Sequence, residues 1–364
     1  MLFKRLSKII GFSSVVFLAA CISDSARWVK TPPQPTLAET LDLAIDANFK
    51  DSQPGIAIMI FRNGKVMYQQ YKGLADVKRK LPIQSDTGFR LASVSKIFTA
   101  LAILQLYEAG KLSLSDSITT YLPDVPPEWK KITIYHLLVH CSGIPDFLND
   151  EWFIPSMLDN HYVRHEYIHK RELEFEPGTS CEYSNTGYVL LAEIVSSVSG
   201  LGFDQYMEKN IFSPLSMSDS FIYDGDIGVN SLGALNLGKT LEIGGRESTF
   251  TGSSSQVSSI DDMKNFSMGL FEGKIISQEK LKLMLTPHPL YNGDDYGYGI
   301  HITNNGITSY HLGGHDGFST CFFVHWPSKT SVIILKNNGG HASTFFLLDL
   351  MDPFMRQGNR QVEK

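Results

Sequence analysis

The stretch Phe89-Arg-Leu-Ala-Ser93-Val-Ser95-Lys96-Ile-Phe-Thr-Ala-Leu101, which stays apolar through Leu106 and stops at Ala109-Gly110, decides how the chain is read. Beyond Lys96 it is apolar on nearly every face, as a helix buried on all sides must be, and Ala109-Gly110 is a good C-terminal stop. The pattern predicts a central helix with the rest of the chain packed around it. Ser93 and Lys96 stand at its start, three positions apart and therefore neighbours on one helical face. A serine hydroxyl is a weak nucleophile until a base takes its proton. A lysine in apolar surroundings has its charged form disfavoured and can be that base. The helix N-terminus would also favour negative charge developing at Ser93.

Ser-x-x-Lys alone is a weak pattern. A second copy, Ser277-Gln-Glu-Lys280, reads as a plain helix start with Ser277 as N-cap and Glu279 in the first turn. The Ser93 copy needs partners, and two stretches offer them. Phe175-Glu-Pro-Gly-Thr-Ser-Cys-Glu-Tyr183-Ser-Asn185 holds the chain's only Tyr-x-Asn. A tyrosine beside a cation can move a proton, and an asparagine presents donor and acceptor to a substrate amide. Near the C-terminus, His311-Leu312-Gly313-Gly314-His315-Asp316-Gly317-Phe318 reads as a strand carrying glycines. Glycines there let a substrate backbone approach, and a strand N–H could join that of Ser93 in an oxyanion hole.

A chain of 364 residues, 43% hydrophobic, can bury a substantial core in one large domain or two. A net charge of -6 gives no electrostatic footprint for nucleic acid. The expected partner is a small-molecule or peptide substrate, with no cofactor and no metal. The opening Met-Leu-Phe-Lys-Arg-Leu-Ser-Lys and the apolar run from Ile9 to Ala20 describe a secretory signal, too short to span a bilayer. Leu18-Ala-Ala-Cys21 resembles a bacterial lipobox, which predicts lipidation of Cys21 and attachment to a membrane on the extracytoplasmic or periplasmic side. Ile22, rather than aspartate, then points to the outer membrane if the cell is Gram-negative. Residues 1–21 are thus the signal and 22–36, with Pro32, Pro33 and Pro35, a stiff tether. Cys141, Cys181 and Cys321 remain, an odd number that permits at most one disulfide and whose spacing singles out no pair.

In chain order, Leu37 to Phe49 has helical periodicity, and Ile56 to Phe61, Asn63-Gly64 and Lys65 to Tyr68 make a hairpin signal. From Ser93 to about Leu285 the pattern is mostly helix and loop, punctuated by prolines. Gly299 to Ile302, Ile307 to His311, Cys321 to Trp326 and Val332 to Leu335 then read as strands in hairpin succession, followed by a helix over Ser343 to Met351. The expected fold is α+β, a three-layer α/β/α sandwich: one antiparallel sheet built from both ends of the domain, covered by helices, with an inserted helical subdomain. The domain should run over 37–355, with sheet parts at about 37–90 and 296–355 and the helical part at about 91–295.

Ser93-Val-Ser-Lys96, Tyr183-Ser-Asn185 and His311-Leu-Gly313, in that order, resemble the three signatures of the penicillin-recognising serine hydrolases: class C β-lactamases, D-alanyl-D-alanine carboxypeptidases and related esterases. Ile132-Thr-Ile-Tyr-His-Leu-Leu-Val-His-Cys-Ser-Gly-Ile-Pro-Asp146, Asn185-Thr-Gly-Tyr-Val-Leu-Leu191 and Tyr296-Gly-Tyr-Gly299 look like stretches of the same family, so the resemblance covers nearly everything from about Leu37 to Leu350. It implies the β-lactamase/transpeptidase-like fold, with Ser93 as nucleophile, Lys96 as base or the base's electrostatic partner, and Tyr183 as proton shuttle. It implies Asn185, His311 and Gly313 on the substrate and the N–H groups of Ser93 and Gly314 as the oxyanion hole. Leu312 departs from the pattern by replacing a hydroxyl residue that helps hold a carboxylate, and His311 stands where β-lactamases carry lysine. A carboxypeptidase or esterase is therefore expected ahead of a dedicated β-lactamase. Two other classes compete: a penicillin-binding sensor that acylates without turnover, and a zinc metalloprotease using His165-Glu-Tyr-Ile-His169 with His161 one turn earlier.

Overall fold

The computed structural model describes residues 36–149, 158–223, 248–315 and 317–357. Cys21, the signal and all of the tether before residue 36 lie outside the described residues. The first element, helix α1 (Leu37–Asn48), is opened by a capping box in which the Thr36 hydroxyl accepts from Glu39 N–H and the Glu39 carboxylate accepts from Thr36 N–H.

Strand β1 (Ile56–Arg62) is buried on both faces, which explains its unbroken apolar run. Ile56, Ile58 and Ile60 face one core with Leu41 and Ile45 of α1, while Ala57, Met59 and Phe61 face the other. Asn63 and Gly64 both take positive φ (46° and 83°), the requirement of a tight primed turn, and return the chain as β2 (Lys65–Lys72).

The middle of the chain contributes α2 (Ser95–Glu108), α3 (Asn185–Ser199) and α4 (Ile260–Glu272). The sheet then resumes with β3 (His288–Pro289), β4 (Asp295–Tyr296), β5 (His301–Thr303), β6 (Thr308–His315), β7 (Phe318–His325) and β8 (Thr330–Lys336), and α5 (Ala342–Gln357) follows. The eight strands are all antiparallel in the order β3-β4-β5-β6-β7-β8-β1-β2, so β8 pairs with β1 from Ile56↔Lys336 to Arg62↔Thr330. The sheet is built from both ends of the domain, as the periodicity predicts. Helices α1 and α5 cover one face and the helical part covers the other.

Two boundaries differ from expectation. Strands β3 and β4 extend the sheet from residues placed in the helical part, and Phe89–Arg90, Gln256–Ser258 and Phe221–Ile222 form a small sheet of their own. Segments of two or three residues are too short to show alternation. The central helix also begins differently: Ala92–Val94 is a 3-10 turn and the α-helix starts at Ser95. Its residues from Ser95 to Leu104 are all buried, as all-round apolarity requires. Phe98 stacks on Phe266 of α4 with centroids 4.0 Å apart, and Phe266 meets Phe322 of β7 at 5.5 Å, which ties α2 to the sheet.

Candidate active site

The turn that carries Ser93 is held by backbone geometry. Ala92, directly before Ser93, is fully buried and has φ +49°, a left-handed conformation that costs a residue with a side chain on the order of 1–3 kcal/mol. It persists because Leu91 is fixed on both sides: its N–H donates to Gln256 O (2.8 Å) and its carbonyl accepts from Thr320 Oγ1 (2.7 Å). Ser93 is left half-buried at the mouth of the site.

Lys96 Nζ lies 3.2 Å from Ser93 Oγ, 2.7 Å from Asn185 Oδ1 and 3.0 Å from Ser253 O. Lys96 is fully buried, and burial pushes its amine down to about 7, while the charge of Asp146 pulls the other way. A neutral amine has two N–H donors and one lone pair. The amide and backbone carbonyls take the two donors, and the lone pair is left for the Ser93 hydroxyl. When the amine gains a proton, all three contacts become donor contacts and none is lost.

Asn185 opens α3 behind the N-cap Ser184, whose Oγ accepts from Gly187 N–H. Its Nδ2 donates to Asp146 Oδ2 (2.8 Å), and Asp146 Oδ1 accepts from Leu148 N–H (3.1 Å). Burial raises the Asp146 carboxyl above the ordinary range. Asn185 is therefore first a link between Lys96 and Asp146.

Tyr183 sits between Lys96 Nζ, 4.9 Å from its ring centroid, and the His140 ring at 4.5 Å, with its hydroxyl hydrogen-bonded to Ser93. Burial raises its phenol, and the bond to Ser93 offsets only part of that. Burial, the dominant influence on this phenol, keeps it protonated in spite of the neighbouring Lys96 amine.

His311 Nδ1 is 2.8 Å from Leu312 O and must donate to it, so Nε2 accepts from the Tyr296 hydroxyl at 2.9 Å. Burial and the neighbouring His301 and Lys96 push its pKa well below the ordinary value, and the ring is neutral with both nitrogens engaged. Gly313 passes against the nucleophile turn so closely that a Cβ there would lie 2.1 Å from Leu91 O and 2.3 Å from Thr320 Oγ1. Gly314 is exposed, with only the His341 ring in the way of a Cβ. Strand β6 pairs with β7 along its whole length but with β5 only over Thr308–Tyr310, so one edge of residues 311–315 carries no strand partner among the described residues.

The structure brings Ser93, Lys96, Tyr183, Asn185, His311, Gly313 and Gly314 to one place and adds four residues that the sequence did not single out. Asp146 ends a quoted stretch without being singled out, and Tyr296 opens another. His140 lies in the same quoted stretch as Asp146, likewise without being singled out, and the Ser253 carbonyl carried no signal. Cys141 and Cys181 form a disulfide, while Cys321 is unpaired and buried, its thiol pushed up to about 12. In the His-Glu-x-x-His stretch, Val163–Tyr167 winds as a π turn and Ile168–Lys170 as a 3-10 turn, which removes the even α-helical spacing the motif needs. Both histidines are exposed, and His165 Nδ1 lies 3.5 Å from Asp124 Oδ2. The second Ser-x-x-Lys is a cap: Ser277 Oγ accepts from Lys280 N–H.

The chain is similar to proteins of one known family. The Beta-lactamase family model matches residues 35–348. A penicillin-binding protein of Bacillus subtilis (strain 168) is 29% identical over 308 residues, 77% of this chain and 67% of that protein. The crystal structure of a penicillin binding protein from Bacillus halodurans has a TM-score of 0.72 at 25% identity, over 87% of this chain and 98% of that one. A D-amino acid amidase from Ochrobactrum anthropi SV3, solved with L-phenylalanine, shares the fold at a TM-score of 0.72 and 22% identity, over 89% of this chain and 99% of that one.

Proposed function

The chain belongs to the beta-lactamase family, and from that premise we propose that it is a serine hydrolase cleaving an amide or ester through an acyl-enzyme on Ser93. The observation that carries the reading is the Lys96 amine, buried, depressed to about 7 and aimed by Asn185 and Ser253 so that its lone pair meets the Ser93 hydroxyl. As Ser93 Oγ attacks the carbonyl carbon, its proton passes to Lys96 Nζ. The oxyanion forms against the N–H groups of Ser93 and Gly314. Tyr183, a protonated phenol hydrogen-bonded to Ser93, gives its proton to the leaving nitrogen or oxygen as the bond to carbon breaks. Lys96 Nζ then returns its proton to the Tyr183 phenolate, and the neutral amine takes a proton from the water that attacks the ester and passes it to Ser93 Oγ as that oxygen leaves.

The substrate class follows from β6. Leu312 offers no hydroxyl and His311 is neutral with both nitrogens engaged, so these two positions supply neither a cation nor a side-chain donor for a carboxylate. We assign a carboxypeptidase- or esterase-type reaction, on a small-molecule or peptide substrate, ahead of a dedicated β-lactamase. With Cys21 lipidated, the enzyme would act at a membrane surface outside the cytoplasm.

Intact-protein mass spectrometry after treatment with a fluorophosphonate, and separately with a penicillin, tests the reading. One adduct, lost in Ser93→Ala, is expected with the fluorophosphonate. A penicillin adduct that persists for hours would move the protein to the sensor class. Folded protein that takes no adduct from either reagent would remove Ser93 as nucleophile.

A further inference from the structure

We infer that the Cys141–Cys181 disulfide, together with His140, is the positioning device of Tyr183, so that the thiol or disulfide state of this pair governs transfer of a proton to the leaving group. The inference rests on the hydrolase reading above. Cys181 stands two residues before Tyr183, and Cys141 directly follows His140. The two segments are laced together around the tyrosine on both sides. Glu182 N–H donates to His140 O (2.8 Å), Ser184 N–H donates to His140 Nδ1 (3.1 Å), and Gly178 N–H donates to Cys141 O (2.9 Å). The residues before and after Tyr183 are thus both bonded to His140, once through its carbonyl and once through its ring.

His140 itself is held in an unusual state. It is 1% exposed and has φ +61°, in the left-handed region that a histidine adopts only when its surroundings fix it. Its Nδ1 accepts from Ser184, so Nε2 carries the proton, and that buried N–H has no hydrogen-bond partner among the described residues. The ring instead lies against Tyr183, Tyr188 and Tyr296 at 4.5, 5.1 and 4.6 Å between centroids. A strained backbone and an unsatisfied donor at one residue mean that neighbouring bonds keep it there. The disulfide is the covalent cross-link next to it. Cys181 also accepts, through its carbonyl, from Tyr291 N–H (2.7 Å), which ties in the loop before β4.

Reduction by a dithiol adds two electrons and two protons to the S–S bond, giving two thiols as the dithiol becomes a disulfide. His140 can then relax from its left-handed conformation, and the Tyr183 ring loses one of its two walls. Ser93 and Lys96 sit on α2 and its leading turn, elements that carry neither cysteine. The nucleophile and base should therefore survive while the proton donor drifts.

The test is kcat/KM for two substrates with the same acyl group, a p-nitrophenyl ester whose leaving group departs as the anion and an anilide or alkyl amide whose leaving group needs a proton. Both are measured on the full oxidised chain, after dithiothreitol with near-ultraviolet circular dichroism to check the fold, and on Cys181→Ser. Positioned proton donors contribute on the order of 10²–10⁴-fold. We expect the amide rate to fall by at least about tenfold, with the ester rate within about threefold, and reoxidation to restore the amide rate. Thiol counting in guanidinium should find two more thiols after reduction. Equal losses on both substrates, or no loss on either, would leave the disulfide a general brace and overturn the assignment, as would an unchanged thiol count. An oxidised wild type inactive on both substrates would instead overturn the hydrolase reading on which the assignment stands.

Discussion

An ammonium group moved from water into the seat of Lys96 loses hydration that two carbonyls and a hydroxyl replace only in part, and this is why the buried amine titrates near 7 instead of near 10.5. The sign follows directly. Above about pH 7 the folded protein holds Lys96 mainly neutral and competent as base; below it the protonated fraction grows and Ser93 loses its acceptor. We expect kcat/KM on an ester to rise with pH along a limb centred near 7. Lys96→Arg, which cannot deprotonate, should cost on the order of 10²–10⁴-fold at every pH. A flat profile from about pH 6 to 8, or an active Lys96→Arg, would transfer the base role elsewhere. At this scale the sequence was informative where the chemistry is local: Ser93 and Lys96 share a turn, and Tyr183 and Asn185 share a loop end. It was silent where a side chain acts through the fold. Asp146 after Pro145 reads as an ordinary turn residue, and only the docking of α3 makes it the partner of Asn185.

At the scale of elements, the site depends on a strand and a turn lying in contact without a side chain between them. Gly313 of β6 meets Leu91 and Thr320 at distances that exclude a Cβ, and the same turn presents Ser93. Gly313→Ala should push β6 away from the nucleophile turn and separate the two oxyanion donors. A loss on the order of 10²–10³-fold in kcat is expected, with about 1–3 kcal/mol of stability. Gly314→Ala is the control, since its added methyl meets only the end of the His341 ring, and it should keep most activity. Equal kinetics for the two variants would show that the contact does not set the hole. The central helix was legible because all-round apolarity has one meaning, burial on all sides. The 3-10 turn before it was not, because the left-handed backbone at Ala92 is imposed by Gln256 and Thr320, far away in sequence. The disulfide partner was hidden for the same reason: Cys141 and Cys181 are 40 positions apart and meet through loop pairing with no periodic pattern.

Across the whole molecule, one asparagine fastens the two ends of the domain. Asn337, just past β8, accepts from Gly55 N–H through Oδ1 (2.6 Å) and donates through Nδ2 to Leu74 O (3.0 Å), on either side of the β1–β2 hairpin. Asn337→Ala would leave a buried N–H and a part-buried carbonyl without these partners, at about 1–3 kcal/mol for the buried N–H and less for the carbonyl. Urea unfolding should show a loss of at least about 2 kcal/mol with Ser93 still reactive toward a fluorophosphonate. A loss under about 0.5 kcal/mol would mean that β1–β8 pairing closes the sheet unaided. The both-ends architecture was readable because a hairpin signal opens the domain and alternating strands close it.

That closure has a consequence for how the chain is made. Arg62 and Thr330 meet across β1 and β8 at a separation of 268 positions. At a synthesis rate of about 5–20 residues per second, β1 leaves the ribosome tens of seconds before its partner exists. Throughout that interval an apolar strand, one that ends up buried on both faces, carries an open hydrogen-bonding edge, the kind of surface that recruits other chains. Nascent protein halted anywhere before Thr330 should therefore be captured by chaperones that hold extended apolar segments, and release should come only when the last strand slides between β7 and β1.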